Sequence, residues 1–394
     1  MTRIIKFYET TLRDGEQTPG INYFPEEKLQ IARALADMGF DTLDCGFPIS
    51  GPGEFEAVQL IARNVSNAEI CAIGRAFPQD IDRAWEAVKD AAHPALQPFV
   101  STSPLHRQVK LGKTREEVLE LARTAVARAR SYTPNADFAL EDTTRTEHDF
   151  IFEVADAIIK EGVRHVTICD TVGFALPWEF GELIAELKRE FPGIQISAHC
   201  HDDLGMAVAN ALEAIRNGAD RVDTCINGLG ERAGNAATEE VVMAIRTRRA
   251  DLGVDVNVDT TKIAPTSRLV AKLSGMQPQW TKAIVGANAF AHGGGIHQDG
   301  VLKDARTYEI MSPESVGLTS ADRRMYVGKL SGRAALEAQM RELGYTLDRE
   351  QVTRAFELVK VLLSKNRVAE EMDLRRIAET VTVSSASTSV RGSE

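Results

Sequence analysis

Cysteine is too sparse and too scattered here to build anything. The five residues Cys45, Cys71, Cys169, Cys200 and Cys225 are odd in number, far apart and without a C-x-x-C pair. That usage excludes a disulfide or zinc framework and fits a reducing compartment. Positive charge is also short: 46 Lys and Arg stand against 57 Asp and Glu, a net charge of −11. Nucleic acid is thereby excluded as a main partner, because phosphate binding needs a basic face. The run Arg246-Thr247-Arg248-Arg249 reads as a solvated helix end. No apolar run approaches the ~20 residues of a membrane span. The chain passes from Met1 almost directly into a strand, with no signal or transit segment. A cytoplasmic protein is expected.

What is there is rhythm. An amphipathic helix, a glycine and a short β-rich run recur around Gly39, Gly162 and Gly218, followed by the strands that hold Asp44, Cys169 and Cys225. Glycine is the usual residue just past a helix end, so each copy marks a helix handing over to a strand. Filling the intervals predicts strands near 4–9, 41–46, 69–74, 96–101, 136–141, 164–169, 194–199 and 220–225, with helices between them. Pro25 suits the first turn of one helix, and Thr114 with Glu117 forms a capping box for another. Eight such units predict an α/β fold of the (β/α)8 barrel type, here residues 1–255. An open doubly wound sheet is disfavoured because no glycine fingerprint follows the first strand. Residues 256–381 are expected to form a linker and helical subdomains: a helix over 260–282, a Gly-rich loop over 286–300, and two or three helices over 333–380. Residues 382–394 are expected to be a disordered tail.

A barrel of this type places its active site at the C-terminal ends of its strands. Arg13, Asp14 and Gln17 follow the first predicted strand, Ser101-Thr102-Ser103 end the fourth and Glu141-Asp142 the fifth. Asp170-Thr171 end the sixth, His199-Cys200-His201 the seventh, and Asn227 and Asn235 follow the eighth. Residues two apart on a strand share a face, so His199 and His201 point together while Cys200 points away. Two imidazoles with the Asp14 carboxylate, and an Asn235 carbonyl oxygen, make a site for Mn²⁺, Mg²⁺ or Zn²⁺ with positions left for substrate. Arg13 either stabilises an oxyanion beside that metal or pairs with Glu141 or Glu16. Glu141 either moves protons or neutralises Arg13. His297, in the glycine-rich segment, is a catalyst or a hydrogen-bonding residue. His93, His148 and His165 carry no motif and read as structural.

Five segments together resemble the 2-isopropylmalate synthases and their homocitrate and citramalate relatives: Thr10–Gln17, Gly46–Pro48, His199–Ala207, Asn227–Asn235 and Gly295–Gly300. The resemblance implies a Claisen-type condensation of acetyl-CoA with 3-methyl-2-oxobutanoate, followed by thioester hydrolysis. By it, Asp14, His199, His201 and Asn235 are the metal ligands and Arg13 polarises the 2-oxo group. Gln17, Gln97, Ala139, Glu141 and Thr171 lie about the acceptor. His297 arrives from the neighbouring subunit of a swapped homodimer to help enolise acetyl-CoA. The sequence departs from the family at Glu9, where Asp is usual, and at Gln97 and Ala139, where His and Ser are common. The last two leave another acceptor, such as 2-oxoglutarate or pyruvate, as the alternative; a metal-dependent aldolase is a more distant one. The resemblance also implies that the leucine-binding regulatory domain common in the family is missing. Activity is therefore expected to be insensitive to leucine, and strong inhibition at millimolar leucine in a CoA-release assay would contradict this.

Overall fold

The computed structural model describes residues 2–366 and 369–388 and divides into two units, Met1–Pro278 and Gln279–Glu394. Among the described residues of the first unit, eight parallel strands close a barrel. They are β1 (Lys6–Glu9), β2 (Thr42–Asp44), β3 (Glu69–Arg75), β4 (Pro94–Ser101), β5 (Phe138–Glu141), β6 (His165–Asp170), β7 (Gln195–Cys200) and β8 (Arg221–Thr224). Closure comes from β1 pairing with β8, Phe7 opposite Val222 and Glu9 opposite Thr224.

The helices that follow these strands are α1 (Pro25–Met38), α2 (Pro52–Asn64), α3 (Pro78–Val88), α4 (Arg115–Tyr132), α5 (His148–Lys160), α6 (Pro177–Glu190), α7 (Ala207–Arg216) and α8 (Thr238–Thr247). Proline opens α1, α2, α3 and α6, where its missing N–H costs nothing and its fixed φ suits the first turn. The Thr114 capping box is present at α4, with the Glu117 carboxylate accepting from Thr114 N at 2.9 Å. Gly39, Gly162 and Gly218 all take positive φ, which is why the helix–glycine–strand pattern could be read at all.

Several boundaries differ from expectation. The first predicted strand is split. Arg3–Ile4 pairs with Val254–Asp255 in a separate two-stranded sheet, and the chain changes partner at Lys6, whose N–H donates to Asp220 O. The helix predicted over 260–282 is Ile263–Ser274, ended by Gly275. It belongs to the first unit, which closes at Pro278 rather than at 255, because Ser267 exchanges hydrogen bonds with Asn227 after β8. The glycine-rich loop of 286–300 is not wholly loop. Ala291–His292 pairs with Arg324–Met325, and Gly295 opens the helix Gly295–Lys303. Three further helices follow, Arg333–Glu342, Arg349–Leu363 and Glu371–Thr388, with Leu336, Met340, Val359 and Leu374 at the core of the second unit. The expected disordered tail begins inside the last of these helices, and residues 389–394 lie outside the described residues.

The end of the barrel away from the predicted site is closed by charge. Arg221 is buried, donates to Asp137 Oδ2 at 2.7 Å and to Ser197 Oγ at 2.9 Å, and lies 4.6 Å from the Tyr8 ring. Asp137 also receives Arg164 Nε at 2.9 Å and faces His165 Nδ1 at 3.1 Å. Burial pushes the Asp137 carboxyl up, and the cations around it win, holding it well below the usual carboxylate range. Asp137→Ala leaves a buried guanidinium without its counter-charge and is expected to cost about 3–5 kcal/mol. Denaturant unfolding followed by circular dichroism reads this directly; a loss under about 1 kcal/mol would show that the network is dispensable.

Candidate active site and metal centre

The turn after β1 is built as a clamp. Arg13 Nη1 lies 2.8 Å from Asp14 Oδ2, and Nε lies 2.8 Å from Asp44 Oδ2 at the end of β2. Gln17 Oε1 accepts from the same guanidinium at 3.3 Å. Of the two partners foreseen for Arg13, neither Glu16 nor Glu141 takes it. Glu16 pairs instead with the buried Lys28, at 2.7 Å, and Lys28 reaches Glu54 at 2.6 Å. Glu54 in turn accepts from Phe47 N at 2.9 Å, so this triad fixes the loop after β1 to the loop after β2. Glu9 is also fully buried. Its carboxylate accepts from Thr11 N, Thr11 Oγ1, Ile226 N and Thr238 Oγ1 at 2.8–3.1 Å. Burial pushes it up to about 7 despite these donors. The family departure at Glu9 thus falls on a clasp between β1 and the chain after β8.

Asp14 meets the β7 histidines across the barrel. His199 Nε2 and His201 Nε2 are 3.2 Å apart, and Asp14 Oδ2 lies 3.5 Å from the first and 3.8 Å from the second. Asn235 bridges His201 through the backbone and donates its Nδ2 to Leu229 O at 3.1 Å. Its Oδ1, like Asp14 Oδ1, is buried without a hydrogen-bond partner among the described residues. Gly230, at φ 148°, makes room for this pair: a Cβ there would lie 2.1 Å from Asn235 Nδ2 and 3.2 Å from Asp14 Oδ1. Cys200 faces away, and burial pushes its thiol far up, so it is no nucleophile.

The electrostatics suit a cation. Burial works to raise Asp14, but Arg13 and the two imidazoles hold it well below the ordinary range. Burial lowers His201 to about 4, which leaves its imidazole neutral with a lone pair to give. His199 is raised against burial by Asp223 and Asp14. Asp223 Oδ2 lies 3.5 Å from His199 Nδ1, and its other oxygen accepts from Ser197 Oγ. A carboxylate behind an imidazole is how metal-binding histidines are oriented. Asp14, His199 and His201 offer three ligand atoms within 4.8 Å of one another, and the orphaned Asn235 Oδ1 stands beside them. Such a mixed N/O set fits a divalent cation, Mn²⁺, Mg²⁺ or Zn²⁺.

Arg13, Asp14 and the two histidines open on a cavity of about 310 Å³. Gln17, Gln97, Ala139, Glu141 and Thr171 all line it, as do Phe47, Ile73 and Phe99. Glu141 takes Lys110 Nζ at 2.6 and 2.8 Å and a hydrogen bond from Ser101 Oγ. Lys110 sits on a π-helical turn, His106–Leu111, a wide-turned element frequent at functional sites. Thr171 Oγ1 accepts from Asp142 N at 2.8 Å. Arg232, at the rim, is held by Asp203 and by Thr171 O. His297 is in the other unit, on the helix Gly295–Lys303, with its ring stacked 4.2 Å from that of Tyr308. Sequence reasoning singles out none of Lys28, Lys110 and Asp223, and reaches Arg232 only as part of the segment Asn227–Asn235. Of the first three, only Asp223 carries a signal, an acid on the inward face of the last strand.

Comparison with known proteins places these features in context. An HMGL-like family model matches residues 4–270, and a homocitrate synthase post-HMGL domain-like model matches 284–367. A 2-isopropylmalate synthase of Ruminiclostridium cellulolyticum is 49% identical over 96% of this chain and 75% of its own length. One from Pyrococcus furiosus is 47% identical over 96% of this chain and 76% of its own. Among solved structures, a hydroxymethylglutaryl-CoA lyase from Pseudomonas aeruginosa superposes with a TM-score of 0.61 at 20% identity, over 71% of this chain and 95% of that one. The carboxyl transferase domain of Rhizobium etli pyruvate carboxylase gives 0.54 at 18% identity, over 97% of this chain and 60% of that one. These two similarities speak for the barrel alone.

Asp223→Asn removes the charge behind His199 while keeping its volume. Affinity for Mn²⁺, titrated against a chromogenic chelator, is expected to fall about 10- to 100-fold. An unchanged affinity would strip Asp223 of any part in the centre.

Proposed function

The chain belongs to the 2-isopropylmalate synthase family, and from that premise we propose how the groups at its barrel mouth divide the work. It is an acyltransferase of this type, serving leucine biosynthesis. The acetyl group of acetyl-CoA is joined to C2 of 3-methyl-2-oxobutanoate, and thioester hydrolysis yields 2-isopropylmalate and CoA. The family depends on acetyl-CoA and a metal in general. The observation that carries our assignment of residues is the convergence of Asp14, His199 and His201 beside Arg13 on one cavity, with the unpartnered Oδ1 of Asn235 on the segment bridged to His201.

Asp14, His199, His201 and Asn235 hold the divalent metal. When bound, it would supply Lewis-acid polarisation of the 2-oxo group. Arg13 cannot swing away, because Asp44 and Asp14 pin it from two sides. Its guanidinium therefore meets the acceptor's oxygens already oriented, which is where such a donor lowers a barrier most. Gln17, Gln97, Ala139 and Thr171 surround the acceptor. Glu141, aimed by Lys110 and Ser101, receives or returns a proton at the reacting centre. His297, delivered by the neighbouring subunit of a swapped homodimer, assists removal of the methyl proton of acetyl-CoA. In this reading the part of 256–381 that follows Pro278 supplies the swapped region of the dimer.

The cavity argues against a dicarboxylate acceptor. Beyond Arg13, which meets the acceptor's 2-oxo end, the cavity's cationic lining residues Lys110 and Arg232 are already engaged by Glu141 and Asp203, and the acid Asp223 also lines it. Among the described residues no helix is long and apolar enough to cross a membrane, and the five cysteines are free and buried; both agree with a cytoplasmic enzyme.

CoA release from acetyl-CoA is to be followed against a panel of 2-oxo acids, with and without chelator. Turnover of 3-methyl-2-oxobutanoate, abolished by the chelator and restored by Mn²⁺, is expected, with 2-oxoglutarate at least about a hundredfold poorer in kcat/KM. Absence of CoA release with every acceptor would defeat the reading.

A further inference from the structure

Counting the stagger of about one residue per strand in an eight-stranded barrel of this type, the strand register brings four side chains to one level: Asp44 on β2, Gln97 on β4, Thr167 on β6 and Asp223 on β8. Barrel interiors are usually filled at such a level by bulky branched apolar residues from alternate strands. Here all four are polar, and all are at least nine-tenths buried. Two have charged partners: Asp44 binds Arg13 through Oδ2, its Oδ1 being left without a partner among the described residues, and Asp223 stands behind His199. The other two are not. Gln97 Oε1 and Thr167 Oγ1 have no hydrogen-bond partner among the described residues, yet both residues line the cavity. Around them the wall is apolar, with Ile73, Phe99 and Ala139.

A buried amide and hydroxyl without partners bear the full cost of lost hydration unless a ligand supplies the missing bonds. We propose that Gln97 and Thr167 read a hydrogen-bonding group at the far end of the acceptor's side chain. The cavity would then take, besides a branched hydrocarbon acceptor, a 2-oxo acid whose side chain ends in a hydroxyl. This rests on the placement of the 2-oxo group beside Asp14 and Arg13. Thr167 and Cys169 are two residues apart on β6, the second paired with His199 in the sheet, and both line the cavity, so an acceptor side chain running inward from the 2-oxo group passes Cys169 and reaches Thr167. A terminal carboxylate does not suit the same place, because the acids Asp44 and Asp223 share the level and the cation that meets the first, Arg13, is already paired. Ala139, opposite Thr167 in the register, leaves the room that a larger side chain would take.

The test compares two acceptors of nearly equal shape, 4-hydroxy-2-oxobutanoate and 2-oxopentanoate, by calorimetric binding to the full-length Mn²⁺-loaded protein without acetyl-CoA. The hydroxy acid is expected to bind about tenfold tighter or better. In Gln97→Met/Thr167→Val, which keeps volume and removes both polar groups, that ratio is expected to fall to near one. Equal or tighter binding of 2-oxopentanoate by the unaltered protein overturns the proposal whether or not the variant folds. A preference that survives the double substitution overturns it too. CoA release with 3-methyl-2-oxobutanoate, run separately, distinguishes the two levels. Its failure defeats the synthase reading, whereas a binding ratio of one with turnover intact defeats only this proposal.

Discussion

The chemistry of this chain hangs on the pairing of β1 with β8. Glu9 lies opposite Thr224 in that pairing; of the four hydrogen bonds to its carboxylate, two from Thr11 fix the turn after β1 and two, from Ile226 and Thr238, lock the end of β1 to the chain beyond β8. Only with that seam closed does Asp14, five residues on, stand across from His199 and His201. A carboxylate buried as fully as Glu9 pays a heavy desolvation cost, seen in its displacement to about 7. The four donors offset part of it. Burying a carboxylate at the seam is an expensive way to hold two strands, and it fixes direction as well as distance, which an apolar contact does not.

Charge is handled differently at the two ends of the barrel. Around Asp137, cations and anions are matched: Arg221 and Arg164 face Asp137, and Arg164 also meets Glu69. Around Asp14 the match is incomplete. Arg13 is shared between two carboxylates, His201 is driven towards its neutral form, and the outward oxygens of Asp14 and Asn235 are left over. The groups left over differ in kind: at the Asp137 end they are nitrogens, Arg221 Nη2 and His165 Nε2, whereas at the Asp14 end they include oxygens able to take a cation.

Much of this was legible along the chain because its causes are local. Helix-ending glycines, N-terminal prolines and the Thr114 capping box mark where each helix starts and stops, and strand alternation alone tells that His199 and His201 share a face while Cys200 does not. Errors fell where the cause is not local. The break between Ile4 and Lys6 is a change of partner strand, and periodicity is blind to partners. Gly295 reads as loop by composition but opens a helix. Lys28 and Lys110 look like ordinary surface lysines until their acids arrive from other loops.

The sequence by itself therefore determined the repeating unit, the barrel it closes into, the inventory of groups at the strand ends and the family. What the tertiary structure decided is which groups face one another. Arg13 turns to Asp44 instead of Glu16 or Glu141, Asp223 backs His199, and Gln97 and Thr167 share a level of the interior with their polar atoms unspent. The division has a physical reason. Helix ends and strand faces are set by dihedral preferences and periods of a few residues, whereas an ion pair or a binding surface is set by register summed around eight strands.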